Sequence, residues 1–264
     1  MPGTVLVTGA SSGIGRELAI LAAKDRRDVV LVARRRERLE QLARDLTARF
    51  GIVADVVADD VSDPGAPARI VASAEGRGPI EVLVNAAGLG VHGFFWETPL
   101  EQERETILVN VLALTELTKL CVGRMVERRR GRILNLASTA AFQPGPLMAV
   151  YYATKAYVLW FTEALAEELR GTGVTATALC PGPTLTGFQE RAGLADVPLL
   201  RGPLVLDPAT VARAGWEGAK RGKRVVIPGL ANRILAQGAR LYPRSLATKI
   251  ARRLQEKRTT GGNG

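Results

Sequence analysis

Short apolar runs rich in β-branched residues alternate along this 264-residue chain with longer amphipathic stretches. The runs at 4–7, 29–33, 52–57, 81–85, 132–136, 174–179 and 224–227 read as strands. The stretches at 15–24, 36–50, 65–75, 101–128 and 153–170 read as helices. Such alternation predicts an α/β fold, a doubly wound parallel sheet of about seven strands with helices on both faces. One catalytic-sized domain is expected over 1–230, followed by an extension over 231–264 whose Gly-rich end should fray.

Between Gly182 and Asp207 the alternation stops. Gly and Pro are mixed there with isolated apolar residues (Leu185, Phe188, Leu194, Val197, Leu199, Leu200), and so long a loop in a compact domain predicts a substrate lid at about 183–207. Further on, 243–258 sets Leu246, Ile250 and Leu254 four apart, with Ala247 and Ala251 beside them. Arg244, Lys249, Arg252, Arg253, Lys257 and Arg258 fill most of the remainder, which makes a basic amphipathic helix. Three roles fit it: packing over the lid, resting on a membrane surface, or docking an acidic carrier or CoA phosphate.

With 47% hydrophobic and 23% charged residues the chain can bury a sizeable core, which excludes disordered and fibrous classes. Its net charge of +10 suggests nucleic acid until it is located. From Arg213 onward thirteen Lys and Arg meet only Glu217 and Glu256, a net of +11, while residues 1–212 sum to −1. The excess is therefore a property of the C-terminal fifth. Apart from Tyr242 no aromatic residue interleaves with those bases, so no nucleic-acid partner is expected. Cys121 and Cys180 sit in apolar segments without disulfide or metal-ligand spacing, and His92 is the single histidine, which reads as a loop residue near an aromatic cluster. No metal is expected. The opening residues carry no signal pattern and no uncharged apolar run reaches membrane-spanning length, so the expected location is cytoplasmic, peripheral at a membrane at most.

The chemistry begins where the first strand ends. Gly9, Ser11, Ser12, Gly13, Ile14 and Gly15 form a Gly-x-x-x-Gly-x-Gly loop leading into a helix, a setting in which backbone amides and the helix N-terminus receive a pyrophosphate. After the second strand, where an NAD site would place an acid, Ala33 is followed by Arg34, Arg35 and Arg36. A guanidinium fork suits a 2′-phosphate, so Arg34, with Arg35 as second candidate, points to NADP(H). Arg36 reads as part of a solvated helix face. Tyr151 and Lys155 lie four apart and so share a helical face, where an ammonium would draw the phenol's pKa down toward neutrality. Ser138, at a strand end, can donate to an oxygen on which charge develops.

These residues together resemble the short-chain dehydrogenase/reductase family, in its single-domain branch with a Rossmann-type sheet, over about Val5 to Gly187. The resemblance implies that Asn110, Ser138, Tyr151 and Lys155 are catalytic, with Asn110 anchoring a proton-relay water and Lys155 also holding the nicotinamide ribose. It implies cofactor contacts from Asp60 and Val61, from Asn85, Ala86, Ala87 and Gly88, and from Pro181, Gly182 and Thr184. Relatives preferring NADP often carry a base just before the second motif glycine; here that residue is Ser12. A homodimer or homotetramer is implied as well. Val91, Phe94, Phe95, Trp96, Phe142, Leu147 and Met148 are expected around the reacting carbon, which suits an apolar ketone, fatty-acyl ketone, aldehyde or steroid-like substrate. Tyr152 is given a packing role. The rival reading is a non-catalytic NADP(H)-binding redox sensor, against which the complete Ser138, Tyr151 and Lys155 set argues.

Overall fold

Seven strands, β1 (Thr4–Thr8), β2 (Val29–Ala33), β3 (Ala54–Ala58), β4 (Ile80–Asn85), β5 (Gly131–Leu136), β6 (Val174–Leu179) and β7 (Val225–Val226), pair in parallel in the order 3-2-1-4-5-6-7. The computed structural model describes residues 3–194, 197, 204–238 and 243–256, the side chain of Arg244 excepted. Helices α1 (Gly13–Lys24) and α2 (Arg36–Phe50) pack on one face of the sheet, and α3 (Ala66–Glu75) packs on the other. Leu6, Leu31, Leu83 and Ile133 are wholly buried between these layers. The architecture is the Rossmann-type doubly wound sheet that the alternating pattern predicts.

The differences from expectation have local causes. Strand β3 starts two residues late because α2 ends in the left-handed Gly51 (φ 62°), and Val53 gives its amide to the Asp28 carboxylate at 2.8 Å before the ladder begins. The stretch expected as one helix over 101–128 is α4 (Leu100–Ile107), a π-helical turn (Leu108–Ala113) and α5 (Leu114–Glu127), with buried Asn110 inside the π turn. By length and composition Leu100–Glu127 could cross a membrane. Its Leu117, Cys121 and Met125 are instead spent on the sheet. Helix α6 (Ala149–Glu168) starts earlier than expected, so Tyr151 stands in its first turn.

After β6 come short α7 (Phe188–Arg191), α8 (Pro208–Lys220), α9 (Leu230–Gly238) and α10 (Arg244–Gln255). Helices α8 and α9 were not expected, although Asp207 followed by Pro208 is a helix-start signal; Asp207 accepts the Thr210 amide at 2.8 Å. Trp216 of α8 is buried against α1 and donates its indole N–H to Asp25 at 2.9 Å. Leu199 and Leu200 of the expected lid, Tyr242, Lys257, Arg258 and the Gly-rich end lie outside the described residues.

Candidate functional site

The order 3-2-1-4 reverses direction between β1 and β4, and the crevice at their carboxyl ends is where such sheets bind ligands. Gly9 has φ 67°, and a Cβ there would stand 2.7 Å from the Ala86 carbonyl oxygen; a Cβ on Gly15 would stand 2.5 Å from that of Gly9. At Gly9 and Gly15 the loop is packed too tightly for a side chain, which leaves bare backbone at these two positions. Thr8, which sequence reasoning missed, fixes the loop after β4: its hydroxyl accepts the amides of Ala86 and Ala87 at 3.1 and 3.2 Å. The N-terminus of α1 has no side-chain cap, so its amides face the crevice unclaimed.

The three arginines after β2 have separate fates. Arg34 pairs with Glu105 at 2.8 Å and Asp60 at 3.3 Å, so its charge is already met. Arg35 turns onto the glycine loop and donates to Ser11 Oγ (2.9 Å) and Ser12 Oγ (3.2 Å). Arg36 pairs with Glu40 along α2 at 3.8 Å. Burial and the nearby charges of Arg38, Arg191 and Arg34 lower the pKa of Arg35 from its usual value. Among the described residues Arg35, Arg38 and Arg191 have no carboxylate partner, so a cationic cluster remains at this end of the crevice.

At the other end, Ser138 caps a short 3-10 turn (Thr139–Phe142): its Oγ accepts the Ala140 amide at 3.1 Å and reaches the Pro181 carbonyl only at 3.5 Å. Its proton is thus loosely held. Tyr151 packs against Phe188 with ring centroids 5.3 Å apart, and Lys155 Nζ lies 5.8 Å from the Tyr151 ring. Lys155 is buried and donates to the Leu136 carbonyl at 2.7 Å. The expected drop in the tyrosine's pKa is not what this geometry gives. Burial pushes the Tyr151 phenol up, with the Ser138 hydroxyl opposing, while burial brings the Lys155 ammonium down to about 8. Both shifts disfavour charge, because desolvation here outweighs a lysine that is already bonded elsewhere.

Two expected residues work from behind the crevice. Asn110 is buried and does not line the cavity; it gives Nδ2 to the Leu89 carbonyl and Thr154 Oγ1, both at 2.9 Å, and accepts the Leu89 amide at 2.9 Å. It therefore clamps the loop at Gly88, whose position lies beside both Asn110 Oδ1 and Lys155 Nζ. Asn85 likewise turns into the core, donating to Asn135 Oδ1 at 2.9 Å and Thr118 Oγ1 at 3.1 Å. The other expected cofactor and catalytic residues all line one cavity of about 660 Å³ that runs from Arg35 to Tyr151.

A model of the short chain dehydrogenase family matches residues 3–195. The chain belongs to the short-chain dehydrogenase/reductase family. Ketoacyl reductase HetN of Nostoc sp. is 38% identical over 85% of this chain and 77% of its own length. A very-long-chain 3-oxoacyl-CoA reductase of Bos taurus is 34% identical over 67% of this chain, which spans only 57% of that protein. A short-chain dehydrogenase from Sphingobium yanoikuyae, solved in complex with NADPH, superposes with a TM-score of 0.81 at 35% identity, covering 90% and 93% of the two chains. Membership makes this chain an oxidoreductase of carbonyl or alcohol groups that works with a nicotinamide cofactor.

The substrate end of this family member differs from the sequence expectation. Phe142 and Met148 line the cavity as expected, but Val91, Phe94, Phe95, Trp96 and Leu147 do not, and Phe95 and Trp96 point outward. Their places are taken by Phe188 and Leu194 and by α9 and α10, through Ile234, Leu235, Ile250 and Leu254. Helix α10 is tied down at its end. Gln255 is buried and donates to Tyr152 OH at 2.8 Å, while its carbonyl sits 2.8 Å from His92 Nε2. Tyr152 thus packs as expected and also carries a polar anchor, and His92 is a loop residue with a defined partner. Cys121 and Cys180 are buried, with thiols pushed up to about 12 by desolvation, and are unreactive on that ground.

Proposed function

We propose that this protein is an NADP(H)-dependent carbonyl reductase whose substrate is apolar, with a fatty 3-oxoacyl group as its leading form. The observation that carries the cofactor assignment is Arg35. Its guanidinium, at the mouth of the glycine loop, has no carboxylate partner among the described residues, and a ribose 2′-phosphate would neutralise it. The bare glycine cradle and the uncapped α1 fit the pyrophosphate of the same ligand. The apolar substrate is supported by the lining from Phe142, Met148, Leu194, Ile234 and Ile250, and the acyl form by the names of the reductases that the chain resembles.

When bound, the nicotinamide supplies the hydride chemistry at the carbonyl carbon. The protein supplies the rest. Ser138 Oγ gives its loosely held proton to a hydrogen bond on the carbonyl oxygen, and Tyr151, kept neutral by burial, transfers its phenolic proton to that oxygen. Lys155, with a pKa near the working range, holds a replacement proton beside it. Asn110 positions the loop against which these groups work. Helices α9 and α10 with Phe188 and Leu194 act as the lid, and Ile107, Leu112, Leu120 and Trp160, exposed between the start of α4 and the end of α6, form the face of a homo-oligomer.

The test is oxidation of NADPH with a panel of 3-oxoacyl thioesters, long-chain aldehydes and bulky ketones. Turnover should fall by a factor of about 100 to 10,000 in Tyr151→Phe. NADPH affinity should stay nearly unchanged in that variant. Binding of NADPH without turnover of any carbonyl would leave a redox sensor in place of an enzyme.

A further inference from the structure

The cavity mouth carries a surface that hydride transfer does not explain. Ile234, Leu235, Ile250 and Leu254 line the cavity and yet are 38% to 62% exposed, so they form its rim. The His92 bond to the end of α10, and Arg252 over the Phe94 ring at 5.9 Å, bring the loop at 92–96 alongside. That loop adds Phe95 and Trp96, exposed by 63% and 77%, the tryptophan stacked on Phe94. A contiguous apolar rim of this kind marks an interaction surface. Its charge is one-sided, since residues 230–256 hold six Lys and Arg against Glu256 alone. Arg233, Lys249 and Arg253 are exposed there and have no carboxylate partner among the described residues.

We propose that this rim docks on an anionic lipid surface, so that an apolar substrate passes from the bilayer into the cavity without crossing water. Exposed Leu, Ile and Trp beside unpaired cations are the composition that lies in a headgroup layer, the apolar groups below and the bases at the phosphates. A second copy of the chain fits worse. A symmetric contact would set Arg233, Lys249 and Arg253 of one copy against the same three of the other. Docking itself is independent of the proposed reaction; only substrate delivery rests on it.

The experiment is co-sedimentation of the full chain with phosphatidylcholine vesicles, with and without phosphatidylglycerol. The protein should pellet with the anionic vesicles, lose binding at high salt, and spare the neutral ones. Lys249→Glu with Arg253→Glu should weaken binding about 20-fold or more, at roughly fivefold per base, and Trp96→Ser should weaken it as well. None of the three lines the cavity, so NADPH affinity and turnover of a short soluble ketone should be unchanged, which also shows that the variants fold. Pelleting with neither vesicle, or equally with both, overturns the proposal. A halving of solution mass in Trp96→Ser also overturns it, by giving the face to a second copy. Pelleting on anionic vesicles without turnover of any ketone upholds docking and counts against the proposed reaction alone.

Discussion

Replacing Arg35 by alanine should separate the two nicotinamide cofactors. Its guanidinium makes two hydrogen bonds to loop hydroxyls and has no carboxylate partner among the described residues, so a 2′-phosphate would be its first full counter-charge. A hydrogen bond to a charged group contributes about 1.5–3 kcal/mol, so the NADPH dissociation constant should rise about 10- to 150-fold. NADH, which lacks that phosphate, should bind within about twofold of its original affinity on the same reasoning. Arg34 is the internal control. It is half-exposed and already neutralised by Glu105 and Asp60, whose carboxylates would repel a phosphate placed beside it, so Arg34→Ala should cost NADPH less than about fivefold, under about 1 kcal/mol. Titration of cofactor fluorescence in low salt reads both cofactors on both variants. Equal losses for both cofactors in Arg35→Ala, or a larger selective loss in Arg34→Ala, would refute the assignment.

Four further outcomes follow from the site. With Lys155 at a pKa of about 8, reduction should hold steady below that pH and fall above it, and Lys155→Met should lose this limb together with most of its turnover. Because the folded state releases this proton before the unfolded lysine does, wild-type stability relative to Lys155→Met should rise as pH goes from about 8 toward the unfolded value near 10.5, as urea melts at stepped pH would show. Gly9→Ala forces a side chain into a left-handed residue 2.7 Å from the Ala86 oxygen, and should cost about 1–3 kcal/mol in thermal melts as well as cofactor binding. Gln255→Ala strips the buried Tyr152 hydroxyl of its partner; loosening α10 by about 1–3 kcal/mol should speed amide exchange there and raise KM for apolar ketones, with the NADPH affinity unmoved.

The sheet was legible because strands buried on both faces must be continuous apolar runs, and the helices between them must be amphipathic. Every strand appeared where the pattern put it, to within two residues. The helices α8 and α9 escaped because Gly215 and Gly218 interrupt the first and the second is short, so tertiary packing of Trp216 on α1 rather than local pattern defines that region. Gly218 shows the compensation: a Cβ there would stand 2.3 Å from Val226, so the glycine that weakens the helix is what lets it lie against β7. The outward turn of Phe95 and Trp96 was illegible for a different reason. Apolar residues beside a site look alike in sequence whether they line the cavity or its outer rim.

The arginine triplet shows where sequence reasoning stops. Arg34, Arg35 and Arg36 are equivalent as letters, and an absent acid after β2 does not say which of them would meet the phosphate of the proposed NADP(H). Their neighbours decide which. At the end of β2 successive side chains leave on alternate sides, so Arg34 falls toward β3 and the α4 carboxylates while Arg35 falls onto the β1 loop. The first direction holds Asp60 and Glu105 and quenches the charge; the second holds, among the described residues, serine hydroxyls and no carboxylate, and leaves it available. Ser12, whose place a base often fills in NADP-preferring relatives, is the group that receives Arg35. If the proposed NADP(H) assignment holds, the base absent from the loop in sequence is supplied in space from the neighbouring strand, and the departure from the motif at Ser12 carries no loss of phosphate recognition.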